Sequence, residues 1–121
     1  MFVCVIVVTT RKVAVISGSA ATFNCTINAP KYDVCWTHKN VLSRNHNDLY
    51  VKGELTPLCD HNRCNVIFDN EKNRYLLTIR SVQPYDAGFY FCRICDEFSY
   101  DQVAELIVLQ TGQSSYLLHS N

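Results

Sequence analysis

The sequence predicts an all-β sandwich or barrel, on three observations. Short segments of alternating apolar residues recur along the chain with turn residues between them, no stretch carries the periodicity of an amphipathic helix, and Cys25, Trp36 and Cys92 sit in three of those segments. A strand repeats every two residues and a helix about every 3.6, so this pattern is how an all-β chain reads. With 121 residues there is room for one ordinary core. A single domain is expected over residues 1–110, and "TGQSSYLLHSN", residues 111–121, reads as a linker or the start of a stalk.

The elements follow in order. "FVCVIVV" alternates at Val3, Val5 and Val7 as a first strand should, and it lacks the basic start and small-residue cleavage site of a signal peptide. Met1 is therefore read as a start codon on a mature domain. "KVAVI" is a second strand, "SGSA" a turn, and "TFNCTI" and "DVCWTHK" the next two strands. "LYVKG" and "CNVIF" follow, then the hairpin "DNEKN", then "YLLTI". "SVQPYDAG" is the one place where a short helical turn fits, with Pro84 setting it, and "GFYFCRI" and "VAELIVL" close the domain. No apolar run nears the roughly 20 residues of a membrane span, so any anchor is expected outside these residues.

Composition narrows the function. Eleven basic and eleven acidic residues cancel, leaving no field to draw in nucleic acid or an acidic membrane. His38, His46, His61 and His119 fall in loops or at strand ends, with no serine or carboxylate at a telling spacing, and read as solvated surface residues. Ser17 and Ser19 are turn residues and form no nucleophile elbow. No enzyme, cofactor or small-molecule substrate is expected. Seven cysteines in so short a chain indicate an oxidising compartment. Seven is odd, so one thiol is free, pairs between chains, or has its partner elsewhere.

The stretch "YDAGFYFC" carries the most specific pattern. Tyr90 and Cys92 are two residues apart and share a face, the Tyr90 hydroxyl can bond back to the corner at Asp86, and Gly88 provides the room. Arg63 in "NRCNVIF" is the natural partner for Asp86. Together with Cys25 and Trp36, these residues resemble the immunoglobulin superfamily, most closely its variable-type (V-set) domains. "RCNVIFDNEKNRYLLTIRSVQPYDAGFYFC" lies without a gap on the antibody heavy-chain variable segment from strand D to strand F, matching Arg63, the Asp69, Asn70, Lys72, Asn73 hairpin, Leu77, Ile79, Asp86, Tyr90 and Cys92. The resemblance implies a Greek-key β-sandwich of two antiparallel sheets joined by a Cys25–Cys92 core disulfide, with Trp36 packed on it. "DQVAELIVLQ" lacks the glycine-bulged segment of rearranging receptors, which argues against an antibody or T-cell receptor chain.

Five cysteines remain. With Trp36 and Cys92 inward, Cys35 and Cys95 both point outward on neighbouring strands, where a second disulfide fits. Cys59 and Cys64 can close a small loop, leaving Cys4 over; spacing alone does not fix these pairings. The alternative is a zinc site from Cys92, Cys95, Cys59 and Cys64 with His61 as a spare ligand, but it leaves Trp36, Asp86 and Tyr90 unexplained.

What is left is a surface. On the last-but-one strand Phe89 and Phe91 point outward, followed by Arg93, unless a neighbouring loop covers the two rings. In the resembled fold this is the GFCC' face, where Phe91 matches a position that contacts a partner domain; Thr37, Lys39 and Tyr50 are placed beside it. The following loop, "CDEFSYDQ", offers Phe98 and Tyr100 with an acidic rim of Asp96, Glu97 and Asp101. "KNVLSRNHND" is a basic loop that can face an acidic loop on another copy. The expectation is the membrane-distal domain of a cell-surface receptor for adhesion, self-recognition or immune recognition, binding a protein on another cell or another copy of itself. The alternative is a secreted or viral immunoglobulin-like protein that captures a host ligand. Asn24-Cys25-Thr26 is an N-glycosylation sequon with Asn24 outward.

Overall fold

In the computed structural model, which describes residues 6–9, 11–28, 34–40, 46–59, 62–95 and 102–110, strands are the only long elements. They are β1 (Ile6–Thr9), β2 (Lys12–Ile16), β3 (Ala21–Ile27), β4 (Val34–Asn40), β5 (His46–Val51), β6 (Glu54–Leu55), β7 (Cys64–Asp69), β8 (Arg74–Ile79), β9 (Gly88–Ile94) and β10 (Gln102–Leu109). Single 3-10 turns at Pro57–Cys59 and Pro84–Asp86 join them. One sheet runs β1-β3-β8-β7 and the other β2-β10-β9-β4-β5-β6. The two sheets face each other, so each strand alternates between the space they enclose and the outside.

That alternation makes the core. Ala21, Phe23, Cys25 and Ile27 of β3 are buried, as are Tyr75, Leu77 and Ile79 of β8, and they meet Trp36, Tyr90, Cys92, Ala104 and Leu106 from the larger sheet. The Cys25–Cys92 disulfide crosses between the sheets with Cα atoms 6.5 Å apart. Trp36 lies directly opposite Cys92 in the β4–β9 ladder and is 1% exposed. A buried tryptophan of this kind contributes about 1.5–3 kcal/mol or more through the apolar area it removes from water.

The ends of the chain are arranged differently. β1 pairs antiparallel with β3, whereas β2 pairs parallel with β10, from Lys12 opposite Glu105 to Ile16 opposite Leu109. The first two strand-like segments therefore belong to different sheets.

Two features depart from the expected elements. β5 begins at His46, so the last part of "KNVLSRNHND" is a strand and not a loop. Pro57–Cys59 forms a second helical turn, beside the Cys59–Cys64 disulfide. Between β5 and β6 the chain reverses in two residues, Lys52 at φ 52° and Gly53 at φ 81°. Two consecutive left-handed residues are what a tight hairpin between right-twisted strands requires. Residues 111–121, expected as a linker, and Cys4 lie outside the described residues.

Candidate functional site

The corner before β9 fixes how that strand is presented. Pro84 opens the 3-10 turn, and the Asp86 carboxylate accepts the Gln83 backbone N–H at 2.8 Å. The same carboxylate receives both terminal nitrogens of Arg63, at 2.5 and 3.3 Å. Such a bidentate pair fixes geometry as well as charge. Asp86 is 7% exposed, and its proximity and hydrogen bond hold the Arg63 guanidinium more firmly charged than usual. The Tyr90 hydroxyl donates to the Asp86 carbonyl at 2.5 Å. Burial pushes the Tyr90 phenol well above its ordinary range, so it stays a donor. Its ring is held between Phe23, at 4.7 Å, and His38, at 4.4 Å.

With Tyr90 and Cys92 directed inward, the residues between them must face out. Cross-strand register arranges them in rows. One row runs Asp48, Thr37, Phe91, Val103, and the next His46, Lys39, Phe89, Glu105, with Lys12 of β2 beyond. Phe89 and Val103 are exposed at 37% and 44%, and Phe91 is half-buried with the His46 ring parallel to it at 6.0 Å. The Thr37 hydroxyl donates to Asp48 at 2.9 Å, and Arg93 donates to the Cys95 carbonyl at 3.0 Å. Thr37, His46, Asp48, Phe91 and Arg93 enclose a shallow depression of about 160 Å³ on this face. The result is a flat apolar strip, Phe91, Phe89 and Val103, bordered by charges of both signs. Among the described residues no cluster of histidine, cysteine and carboxylate side chains could hold a metal ion.

The family model for the immunoglobulin domain matches residues 5–94. The chain belongs to the immunoglobulin domain family. No curated protein sequence matches it. Among solved structures, this immunoglobulin domain is similar to the first domain of the mouse polymeric immunoglobulin receptor, with a TM-score of 0.70 and 22% identity over 86% of this chain and 94% of that one. It is also similar to the first immunoglobulin domain in the RIG-5 IG1 homodimer, with a TM-score of 0.74 and 21% identity over 88% and 97%. Addition of β5 and β6 to the β10-β9-β4 sheet is the variable-type arrangement. An immunoglobulin domain with three disulfides, Cys25–Cys92, Cys35–Cys95 and Cys59–Cys64, suits an oxidising, extracellular setting. These bonds use the four thiols of the zinc alternative.

The immunoglobulin domain brings Thr37, Lys39, Phe89, Phe91 and Arg93 to one face, although Thr37 is only 6% exposed beneath its neighbours. Tyr50 does not join them. The register slips between Trp36 and Thr37, so that Trp36 opposes Tyr50 and Thr37 opposes Asp48, with Leu49 bulged between. The bulge flips the parity of the strand, and Tyr50 packs inward against the core. Phe98, Tyr100, Asp96, Glu97, Asp101 and His61 lie outside the described residues.

His38 is a second residue that the sequence reading misplaced. It is not a surface side chain but 8% exposed in β4, stacked on Tyr90, with Nε2 donating to the Ala87 carbonyl at 3.2 Å. Its parity with Trp36 two residues earlier was the available signal. Burial pulls its pKa below the usual value, the Ala87 bond and nearby Asp86 opposing in part. The folded state thus takes up a proton less readily than the unfolded chain, and stability, full above about pH 6.5, is lost as pH falls through that value towards the lowered one. A urea midpoint that drops between about pH 7.5 and 5.5 is expected, with a shallower drop in His38→Phe. Equal slopes in the two proteins would show that His38 has no part in it.

Proposed function

We propose that this immunoglobulin domain is an extracellular protein-recognition module that binds through the outer face of its six-stranded sheet. The partner is a protein on another cell, and the form of recognition favoured is self-association between copies of a membrane-anchored parent. The observation that carries the reading is the Phe89, Phe91, Val103 strip, three large apolar side chains side by side on a sheet face turned to water. Lys39, Lys12 and Arg93 border the strip together with Asp48 and Glu105, so two copies related by a twofold axis can set opposite charges against each other. The structural relative described as a homodimer supports the same direction.

The experiment is sedimentation velocity over a wide concentration series, with free thiols blocked, on the wild type and Phe91→Arg. A dimer that grows with concentration is expected, weakened at least about tenfold in the variant, a loss of about 1.4 kcal/mol, with an unchanged thermal midpoint. Equal association of both proteins would remove this face from consideration.

A further inference from the structure

The opposite face of the sandwich has its own exposed apolar row. On the outer side of the four-stranded sheet, Asn24 of β3 lies opposite Leu76 of β8, and Leu76 lies opposite Ile67 of the edge strand β7. Leu76 is half-buried and Ile67 is 54% exposed. The rows on either side are polar. Thr22 and Thr78 share a hydrogen bond at 3.0 Å, and Arg74 meets Asp69 at 3.3 Å. An exposed isoleucine on an edge strand invites pairing with other chains, a hazard that stable proteins cover or blunt. Asn24, at the head of this row, is the acceptor of the chain's Asn24-Cys25-Thr26 sequon.

We infer that Asn24 carries an N-linked glycan and that its first sugars lie across Leu76 and Ile67, closing the smaller sheet's face so that the Phe89, Phe91, Val103 face is the one left to bind. The inference rests on the extracellular reading above, because the modification requires passage through the secretory pathway. The Asn24 amide nitrogen bonds to the anomeric carbon of an oligosaccharide carried on a lipid pyrophosphate. The bond from that carbon to the pyrophosphate oxygen breaks, the lipid pyrophosphate leaves with the electron pair, and the amide gives up one proton. One N–H remains on Nδ2, enough to keep its 3.2 Å hydrogen bond to the Thr26 hydroxyl, which holds the side chain on the outer face. Ile67 is two strand spacings away, about 9.5 Å. A hexose has an apolar C–H face and a hydroxyl rim, which suits an apolar row between two polar ones.

The test uses the whole chain secreted from animal cells behind a heterologous leader. Intact mass is expected to show a glycan that peptide N-glycosidase removes, converting Asn24 to aspartate, and that Thr26→Ala abolishes. Removing the glycan from the folded wild type is expected to raise the fluorescence of an apolar-surface dye several-fold. The same treatment of Ile67→Thr should raise it much less. Absence of sugar at Asn24, or a dye signal that is unchanged by deglycosylation or rises equally in Ile67→Thr, would overturn the inference. The Phe91→Arg sedimentation experiment is read separately, so either proposal can fail while the other stands.

Discussion

Gly88→Ala is expected to lose at least about 3 kcal/mol of stability, more than half of what a domain near the lower end of the usual 5–15 kcal/mol possesses. Gly88 begins β9 at φ +136°, a region that side-chain-bearing residues rarely enter. A Cβ there would fall on the Lys39 carbonyl oxygen and lie 3.2 Å from both the Asn40 Cα and the His38 Nε2. Two of those three atoms are backbone, so the clash cannot be relieved by a rotamer change. Relief requires β9 to back away from β4 at the Asn40 and Gly88 pair, which disturbs the His38 bond to Ala87 and the Tyr90 bond to Asp86 together. Urea unfolding followed by tryptophan fluorescence measures the loss. A midpoint matching the wild type would mean that the corner is far more pliable than its contacts indicate.

Removing the core disulfide with Cys25→Ala and Cys92→Ala is expected to cost at least about 3 kcal/mol, the chain-entropy value for the short ring it closes while Cys35–Cys95 stays in place, with the packing lost around its buried sulfurs in addition. The other two bonds should cost less, for different reasons. Cys59–Cys64 spans a separation of 5, which gives about 2 kcal/mol. Cys35–Cys95 and Cys25–Cys92 share one short ring, from Cys25 to Cys35 and from Cys92 to Cys95, so the loop-entropy cost is about the same for removing either alone. Cys25 and Cys92 belong to the core cluster and Cys35 does not, so removing Cys35–Cys95 alone should cost less by the packing that only the core bond provides. Paired alanine variants ranked by urea midpoint test the order. A Cys35, Cys95 variant as unstable as the Cys25, Cys92 variant would show that the core bond contributes no packing beyond the shared ring.

Particular residues show how far the sequence could be read. Strict alternation in "TFNCTI" and "GFYFCRI" placed Cys25, Tyr90 and Cys92 inward, because both strands lie in the middle of their sheets and keep register along their length. The Asp86 and Arg63 pair was legible for a similar reason, since it joins a fixed corner to the start of a strand. Tyr50 was not legible. Its orientation depends on a one-residue bulge opposite Trp36, and nothing in "HNDLYV" announces which residue is extra. His38 was obscured by residue type: histidine next to lysine reads as solvated, although the strand's own parity sends it to the core. The outward rows that make the candidate site depend on register between four strands, which pairs residues far apart in the chain and has no local signal.

The parallel pairing of β2 with β10 has a mechanical consequence. One strand lies near the start of the chain and the other near the end of the domain, side by side and pointing the same way. Tension applied through the two chain ends pulls them along their length in opposite directions. Every hydrogen bond of the ladder then bears load at once, instead of parting one at a time from an end. A molecule that holds cells together, or that tethers any partner under strain, gains from having its two points of attachment joined in shear.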